Sequence, residues 1–132
     1  MNFLKRFSEQ LYSLMRLVAG FLFACHGAQK LFGVLGSPQL ARVPLMLAAG
    51  IIEFFGGLLI ALGALTAIAA LIASGEMATA YFLQHAPHGL WPIKNHGELA
   101  VLFCFVFLYI ASRGDGAWSI RTFLMGNSVT YP

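Results

Sequence analysis

Charge is what this chain has least of. Charged side chains make up 10% of its 132 residues and five of them are acidic, against 59% hydrophobic residues. A soluble domain carries roughly a quarter charged residues and about half apolar ones. The deficit therefore excludes an ordinary water-soluble fold, and the mean hydropathy of +0.78 agrees. Cysteine is nearly as rare. Cys25 and Cys104 both sit in hydrophobic segments, which excludes a disulfide framework and a cysteine-built metal or iron–sulfur site. A redox pair would need their Cα atoms within about 7 Å, and inert buried thiols are the expectation. No Gly-rich dinucleotide turn is present, so flavin and nicotinamide have no binding motif. Eight basic residues are scattered along a chain of net charge +3. None of them forms a run interleaved with aromatics, so nucleic acid is not an expected partner.

What is there is apolar length. The first candidate span must be told from a cleaved secretory signal. Lys5 and Arg6 precede an apolar run, but Glu9 and Arg16 interrupt it. "LFAC", ending at Cys25, resembles a lipoprotein cleavage box in which bulky Phe23 is out of place. Residues 1–32 are therefore expected to be retained. A membrane crossing takes about 20 largely apolar residues, and four segments qualify, at about 11–32, 44–62, 67–84 and 98–113.

The expected fold is all-α, a single four-span transmembrane bundle over 1–132 in the bacterial cytoplasmic (inner) membrane. Residues 33–42 form a loop, and "LGALT" supplies the tight turn between the second and third spans. His85 to Gly97, with two prolines and Trp91, is a second loop, and the tail after "GDGAWS" is expected to be loosely ordered. Four crossings put both termini on one side. Lys5, Arg6, Arg113 and Arg121 then face Lys30, Arg42 and Lys94 across the membrane, and the positive-inside bias makes the terminal side cytoplasmic. Gly36, Pro87 and Gly89 should be reachable from outside, and Asn127 from the cytoplasm.

Against this background "LMLAAGIIEFFGGLLIALGAL" sets a carboxylate, Glu53, in the middle of an apolar run. A charge at the centre of a span costs several kcal/mol unless paired or neutralised, so such residues are functional candidates by default. Glu53 and Glu76 stand equally far from the Leu62–Ala67 turn, so antiparallel helices bring them to one level, roughly 17 Å from it. His26 falls near that level and Lys30 one turn beyond it, while Glu98 heads the fourth span at the height of Lys30. Arg16 stands apart, towards the inner face. Two readings of the acids stay open: hydrogen-bonded packing groups, or a functional pair. Lys30 and Glu98, at span ends, are expected to pair with each other. His85, His88 and His96 lie in a loop with no metal spacing, and no metal site is expected. Gly20 and Gly27, Gly50, Gly56 and Gly57 around Glu53, and Gly75 beside Glu76 read as small faces that let helices approach and turn the acids inward.

The ordered set "RLVAGFLFACHGAQKLFG", "GIIEFFGGLLIALGALT", "EMATAYF", "NHGELAVLF" and "GDGAWSI" resembles the successive signatures of the DoxX family of small four-span membrane proteins, over roughly residues 14–120. Carried over position by position, the resemblance takes in Arg16, Gly20, Gly27 and Lys30 in the first segment, and Glu53, Gly56, Gly57 and Gly63 in the second. Met77 and Ala80 follow, then Gly97 and Glu98, and last Gly114, Gly116 and Ser119. Where the family pattern often ends in an aspartate two residues after that serine, Arg121 stands here. The resemblance implies subunits associated with quinone-linked oxidoreductases.

The expected function is accordingly a membrane subunit of a redox system, beside a membrane quinone or a partner oxidoreductase. Glu53 and Glu76 are the candidate catalytic, proton-handling carboxylates. His26, Lys30, Glu98 and Arg16 are candidate ligand-binding groups. No covalently bound cofactor is expected; the lipid bilayer, an oxidoreductase partner and a second copy of the chain are the expected partners. A small transporter, or a non-enzymatic scaffold, is the alternative.

Overall fold

The structure, a computed structural model, describes residues 2–126. Those residues hold helices and no strands. A short α1 (Asn2–Lys5) leads into α2 (Ser8–Phe32), which ends where Gly33, at φ 62°, returns its N–H to the Gln29 carbonyl. Pro44 opens α3 (Pro44–Ile51), its lack of an N–H costing nothing in a first helical turn. The helix then widens into a π-helix (Ile52–Gly56) before α4 (Gly57–Leu62). After the turn come α5 (Thr66–Ala80), a second π-helix (Tyr81–His85) and a 3-10 turn (Ala86–His88). Next are α6 (Pro92–Asn95), α7 (Glu98–Arg113) and α8 (Ile120–Met125). Three continuous helical stretches, Ser8–Phe32, Pro44–Leu62 and Thr66–His88, are long and apolar enough to cross a membrane. At 16 residues, α7 is about 24 Å long.

Two helix pairs make the body. In the first, α2 lies against α3, the first π-helix and α4, and glycine sets the distance. A Cβ on Gly20 would stand 2.5 Å from the Ala61 nitrogen and 2.7 Å from the Gly57 carbonyl, and one on Gly57 would meet the Ala24 backbone. Gly27 fits as tightly against the backbone of Phe54. Gly56 and Gly75 do not share this role, since a Cβ on either would meet nothing within 4 Å. The second pair is α5 with α7. Ala69, Ala70, Ala73 and Met77 pack into the core with Ala100, Phe103, Phe107 and Ile110, and the Ser74 hydroxyl donates to the Cys104 carbonyl at 2.8 Å. Phe23 joins the pairs, its ring 4.7 Å from that of Phe107.

The end of the bundle at the α4–α5 turn is tied by polar contacts. Arg16 is fully buried. Its guanidinium donates to the carbonyls of Ile60 (2.5 Å) and Ala61 (2.8 Å), in the last turn of α4, and to that of Trp118. Terminal carbonyls have no intrahelical partner, and a cation there also meets the negative end of the helix dipole. Asp115 Oδ1 accepts from the Thr66 N–H at the start of α5, and Tyr12 donates to the Gly114 carbonyl at 2.6 Å. "GDGAWS" itself docks on the bundle through these contacts. The segment after it is not loose up to residue 126 but forms α8, whose first turn is capped by the Ser119 hydroxyl accepting from the Thr122 N–H. "GDGAWS" is short and has no helical periodicity, and its order comes from partners about fifty to a hundred residues away. Asn127 lies outside the described residues.

The two kinds of glycine differ in a measurable way. Gly20→Ala must push α2 and α4 apart and is expected to destabilise by about 1–3 kcal/mol, whereas Gly75→Ala, free of contacts, is expected to be neutral or slightly stabilising through helix propensity. Thermal unfolding of both variants in mild detergent tests this, and equal melting temperatures would contradict the packing described.

Candidate functional site

Above the first π-helix the two pairs separate. α4 packs against α5, but α3 packs on α2 and the π-helix without substantial packing against α5. A π turn inserts an extra residue and redirects the helix beyond it. The space so opened is a cavity of about 730 Å³, within the range of small-molecule sites. Its walls are largely apolar, from Leu45, Met46 and Ile52 on one side to Met77, Leu83 and Phe103 on the other. Leu45, Ile72 and Leu83 line it and are also about half exposed, so the cavity opens sideways between α3 and α5.

The polar groups of the cavity are few. Glu53, in the first turn of the π-helix, is 2% exposed. Lys30 Nζ donates to both of its oxygens, at 2.6 and 2.5 Å. The pairing follows from packing, because Gly50 and Gly27 bring α3 and the π-helix close enough to α2 for the lysine stem to lie along the contact. Glu76 lines the cavity from α5, close enough to interact electrostatically with Glu53 and Lys30. Its Oε2 is buried and has no hydrogen-bond partner among the described residues. His26 lines the same wall, edge-on to Phe103 with 6.3 Å between ring centroids.

At the loop end the second π-helix carries His85 into the lining, and His96 joins it. This end is fixed by a hydrogen-bonded knot around buried Asn95. Its Nδ2 donates to the Gly89 carbonyl (2.6 Å) and the Tyr81 hydroxyl (3.2 Å), and its Oδ1 accepts from the Gly97 N–H (2.8 Å). Tyr81 in turn donates to the Leu90 carbonyl at 2.6 Å. The Asn95 carbonyl lies 3.1 Å from His85 Nδ1. A carbonyl can only accept, so Nδ1 carries the hydrogen and a neutral His85 leaves Nε2 as an acceptor.

Of the residues singled out from the sequence, the structure gathers Glu53, Glu76, His26 and Lys30 at one cavity. It does not bring Glu98 or Arg16 there. Glu98 is exposed at the head of α7 and does not line the cavity. The expected Lys30–Glu98 pair does not form, because α7 packs on α5 and barely meets α2, while the buried carboxylate of Glu53 has the stronger need of a cation. Arg16 serves the opposite end of the molecule. Sequence reasoning missed His85 and His96 as cavity residues and Asn95 as the organiser of the loop. The residues themselves were visible, but the π turn that rotates His85 inward leaves no mark in hydropathy. Cys25 and Cys104 are free thiols, and Cys104 Sγ rests 3.5 Å from the Ser74 hydroxyl. No group of three or more metal-ligating side chains occurs among the described residues.

Comparison with known proteins places residues 11–86, more than half of the chain, on the profile of the family described as DoxX. A protein of Haemophilus influenzae described as uncharacterized is 38% identical over 127 residues, covering 91% of this chain and 95% of that one. No solved structure matches.

The ion pair can be tested by a double substitution. Lys30→Met leaves a buried carboxylate without its cation and is expected to destabilise by about 3 kcal/mol or more. Lys30→Met combined with Glu53→Leu removes both charges and is expected to recover most of that loss. Thermal or denaturant unfolding of the three proteins measures the coupling, and strictly additive effects would show that the two groups do not depend on each other.

Proposed function

The chain belongs to the DoxX family, and we propose that within it this protein is a membrane subunit of a redox system that holds the head group of a lipid quinone in the α3–α5 cavity. The observation that carries the reading is the composition of that cavity: apolar walls open towards the bilayer, with Lys30–Glu53, Glu76 and His26 gathered on one side. An isoprenoid quinone has the matching form, a long apolar body and a ring with two oxygens that exchange protons. Reducing a quinone takes two electrons and two protons. The electrons come from a partner oxidoreductase, since the chain carries no motif for a flavin, nicotinamide or iron–sulfur group. The protons pass through carboxylates, with Glu53 and Glu76 as the groups that give and receive them. Lys30 gives two of its three N–H bonds to Glu53 and has a third for a ring oxygen.

In the same reading α7, shorter than the three continuous helical stretches, is a fourth crossing, lengthened by its flanking loop and tail. The whole chain forms one bundle with both termini on the cytoplasmic side of the inner membrane. The cavity then lies in the outer half. A transporter would need an opening at the other end as well. That end packs Arg16, Ser13, Thr66 and Ser119, all buried, and leaves a smaller cavity of about 310 Å³ beside Thr66 and Asp115, which supports a binding site over a transport path. A scaffold would have no use for buried carboxylates beside an apolar cavity.

Purification in mild detergent followed by solvent extraction and mass spectrometry tests the proposal. An isoprenoid quinone is expected to accompany the wild-type protein and to fall at least severalfold in Glu53→Gln, which keeps shape and hydrogen bonding while removing the charge. Glu53→Gln is expected to keep the fold, read as an unchanged elution profile. A wild-type protein that carries no quinone and binds none when it is added would refute the reading.

A further inference from the structure

The smaller cavity, of about 310 Å³ at the α4–α5 turn, has a different chemistry from the larger one. Its lining includes Thr66, Arg113, Asp115 and Arg121, together with Leu65 and Ile68. Thr66 is fully buried, yet its Oγ1 has no hydrogen-bond partner among the described residues. The same residue opens α5, a helix of 15 residues. Asp115 answers the Thr66 N–H at 3.2 Å, while those of Ala67 and Ile68, next in the turn, have no carbonyl within the helix to reach. Both arginines are only partly engaged. Arg121 Nη1 donates to Asp115 Oδ2 at 3.2 Å, and Arg113 donates to Glu9, lies over the Tyr12 ring and reaches Tyr109. Each carries five N–H groups in a planar fork suited to phosphate. With Arg16 behind them, the guanidiniums at this end outnumber Glu9 and Asp115.

The setting is the edge of a bilayer. Leu65, Ile68 and Ile72 follow one another at spacings of three and four, an exposed apolar face that leads from the cavity along α5. On the tail side Trp118, Phe123 and Leu124 are exposed near Arg121 in the sequence, the mixture of aromatic and cationic side chains that marks the head-group level. We propose that this cavity binds the phosphate of an anionic phospholipid, with Arg113 and Arg121 as charged donors and the Thr66 hydroxyl and first turn of α5 completing the site. A phosphodiester brings acceptors, which matches guanidinium and helix N-terminal donors. The positive excess favours an anionic head over a zwitterionic one, and the Leu65–Ile72 face gives acyl chains a path that a free phosphate would not use. The site lies at the end of the molecule opposite the quinone cavity and does not depend on that reading.

Native mass spectrometry of the full-length, delipidated protein in mild detergent reads the binding of single lipid molecules. Phosphatidylglycerol is expected to bind severalfold more tightly than phosphatidylcholine with the same chains. Inorganic phosphate and glycerol 3-phosphate, which lack chains, are expected to displace it only at far higher concentration. Arg121→Gln is expected to weaken phosphatidylglycerol about tenfold. Thr66→Val, which keeps the shape and removes the hydroxyl, is expected to weaken it about fivefold without lowering the melting temperature of the lipid-free protein. A purely structural hydroxyl would do the reverse. Lys94→Gln removes a cation from the opposite end and is expected to change nothing, so it separates the site from general attraction between basic protein and acidic lipid. Equal binding of the two lipids, or a loss in Arg121→Gln no greater than in Lys94→Gln, overturns the proposal. Inorganic phosphate or glycerol 3-phosphate binding as tightly as phosphatidylglycerol overturns the lipid as occupant and assigns the site to a free phosphate. None of these outcomes touches the quinone reading.

Discussion

A carboxylate in apolar surroundings has to be matched by a cation nearby, and the Lys30–Glu53 pair is the contact on which the cavity-bearing half of this molecule depends. Glu53 is almost wholly buried while Lys30 keeps about a fifth of its side chain exposed, so the lysine reaches in from the edge and the acid stays inside. The reach is possible because α2 comes against the Phe54 backbone of the π-helix at Gly27, and Gly50 of α3 lies against the Lys30 and Leu31 side chains. A larger residue at either position would hold the helices apart and leave the carboxylate short of its partner. The pair commits α3 to α2, and in doing so draws α3 away from α5. The cavity is the space that this commitment leaves, with the π-helix as the joint between the part that packs on α5 and the part that does not.

The two ends of the bundle handle buried polar groups in opposite ways. At the α4–α5 turn, Arg16 donates to backbone carbonyls that α4 would otherwise leave open, and Asp115 answers the first N–H of α5. Both tie parts distant in sequence, so they close the bundle and hold the tail against it. Nothing there faces a cavity of comparable size. At the opposite end the knot around Asn95 satisfies the loop internally, which frees the loop from any need to bond to α3. A rigid loop beside an unfilled gap keeps the gap open, whereas a loop short of partners would collapse into it.

How far the sequence could be read follows from which forces leave a local trace. Hydropathy marks apolar helices directly, so the all-helical class and the family were legible. Simple rise arithmetic placed Glu53, Glu76 and His26 at comparable heights, because a helix converts residue number into depth. Partner choice was not legible in the same way. Lys30 was paired with Glu98 on height alone, yet height is one coordinate of three, and which helices touch decided for Glu53. The glycines misled in part for the same reason: Gly57 and Gly56 are neighbours in sequence but only one of them faces α2. The two π turns and the docking of residues 114–119 depend on distant contacts and carry no periodic signature. His85 entered the cavity through the first of these effects, and Ser119 entered the inner end through the second.

Glu76 is the residue that the packing account does not absorb. Glu53 has its lysine and Asn95 uses both ends of its amide, so of these cavity-side groups Glu76 is left with a buried oxygen unpaired among the described residues, as Thr66 Oγ1 is at the other end. Leaving a buried polar atom unpaired costs free energy of about 1–3 kcal/mol, and a simple remedy was at hand, since alanine already occupies six other positions of the same helix, among them the buried Ala69, Ala70 and Ala73. A carboxylate kept there, beside a satisfied ion pair and at the wall of an apolar cavity, is unexplained as a packing group. It is explained if the missing partner arrives with a ligand. The ion pair then has two functions: it neutralises Glu53, and it leaves a lysine hydrogen at the wall of the cavity that Glu76 also lines.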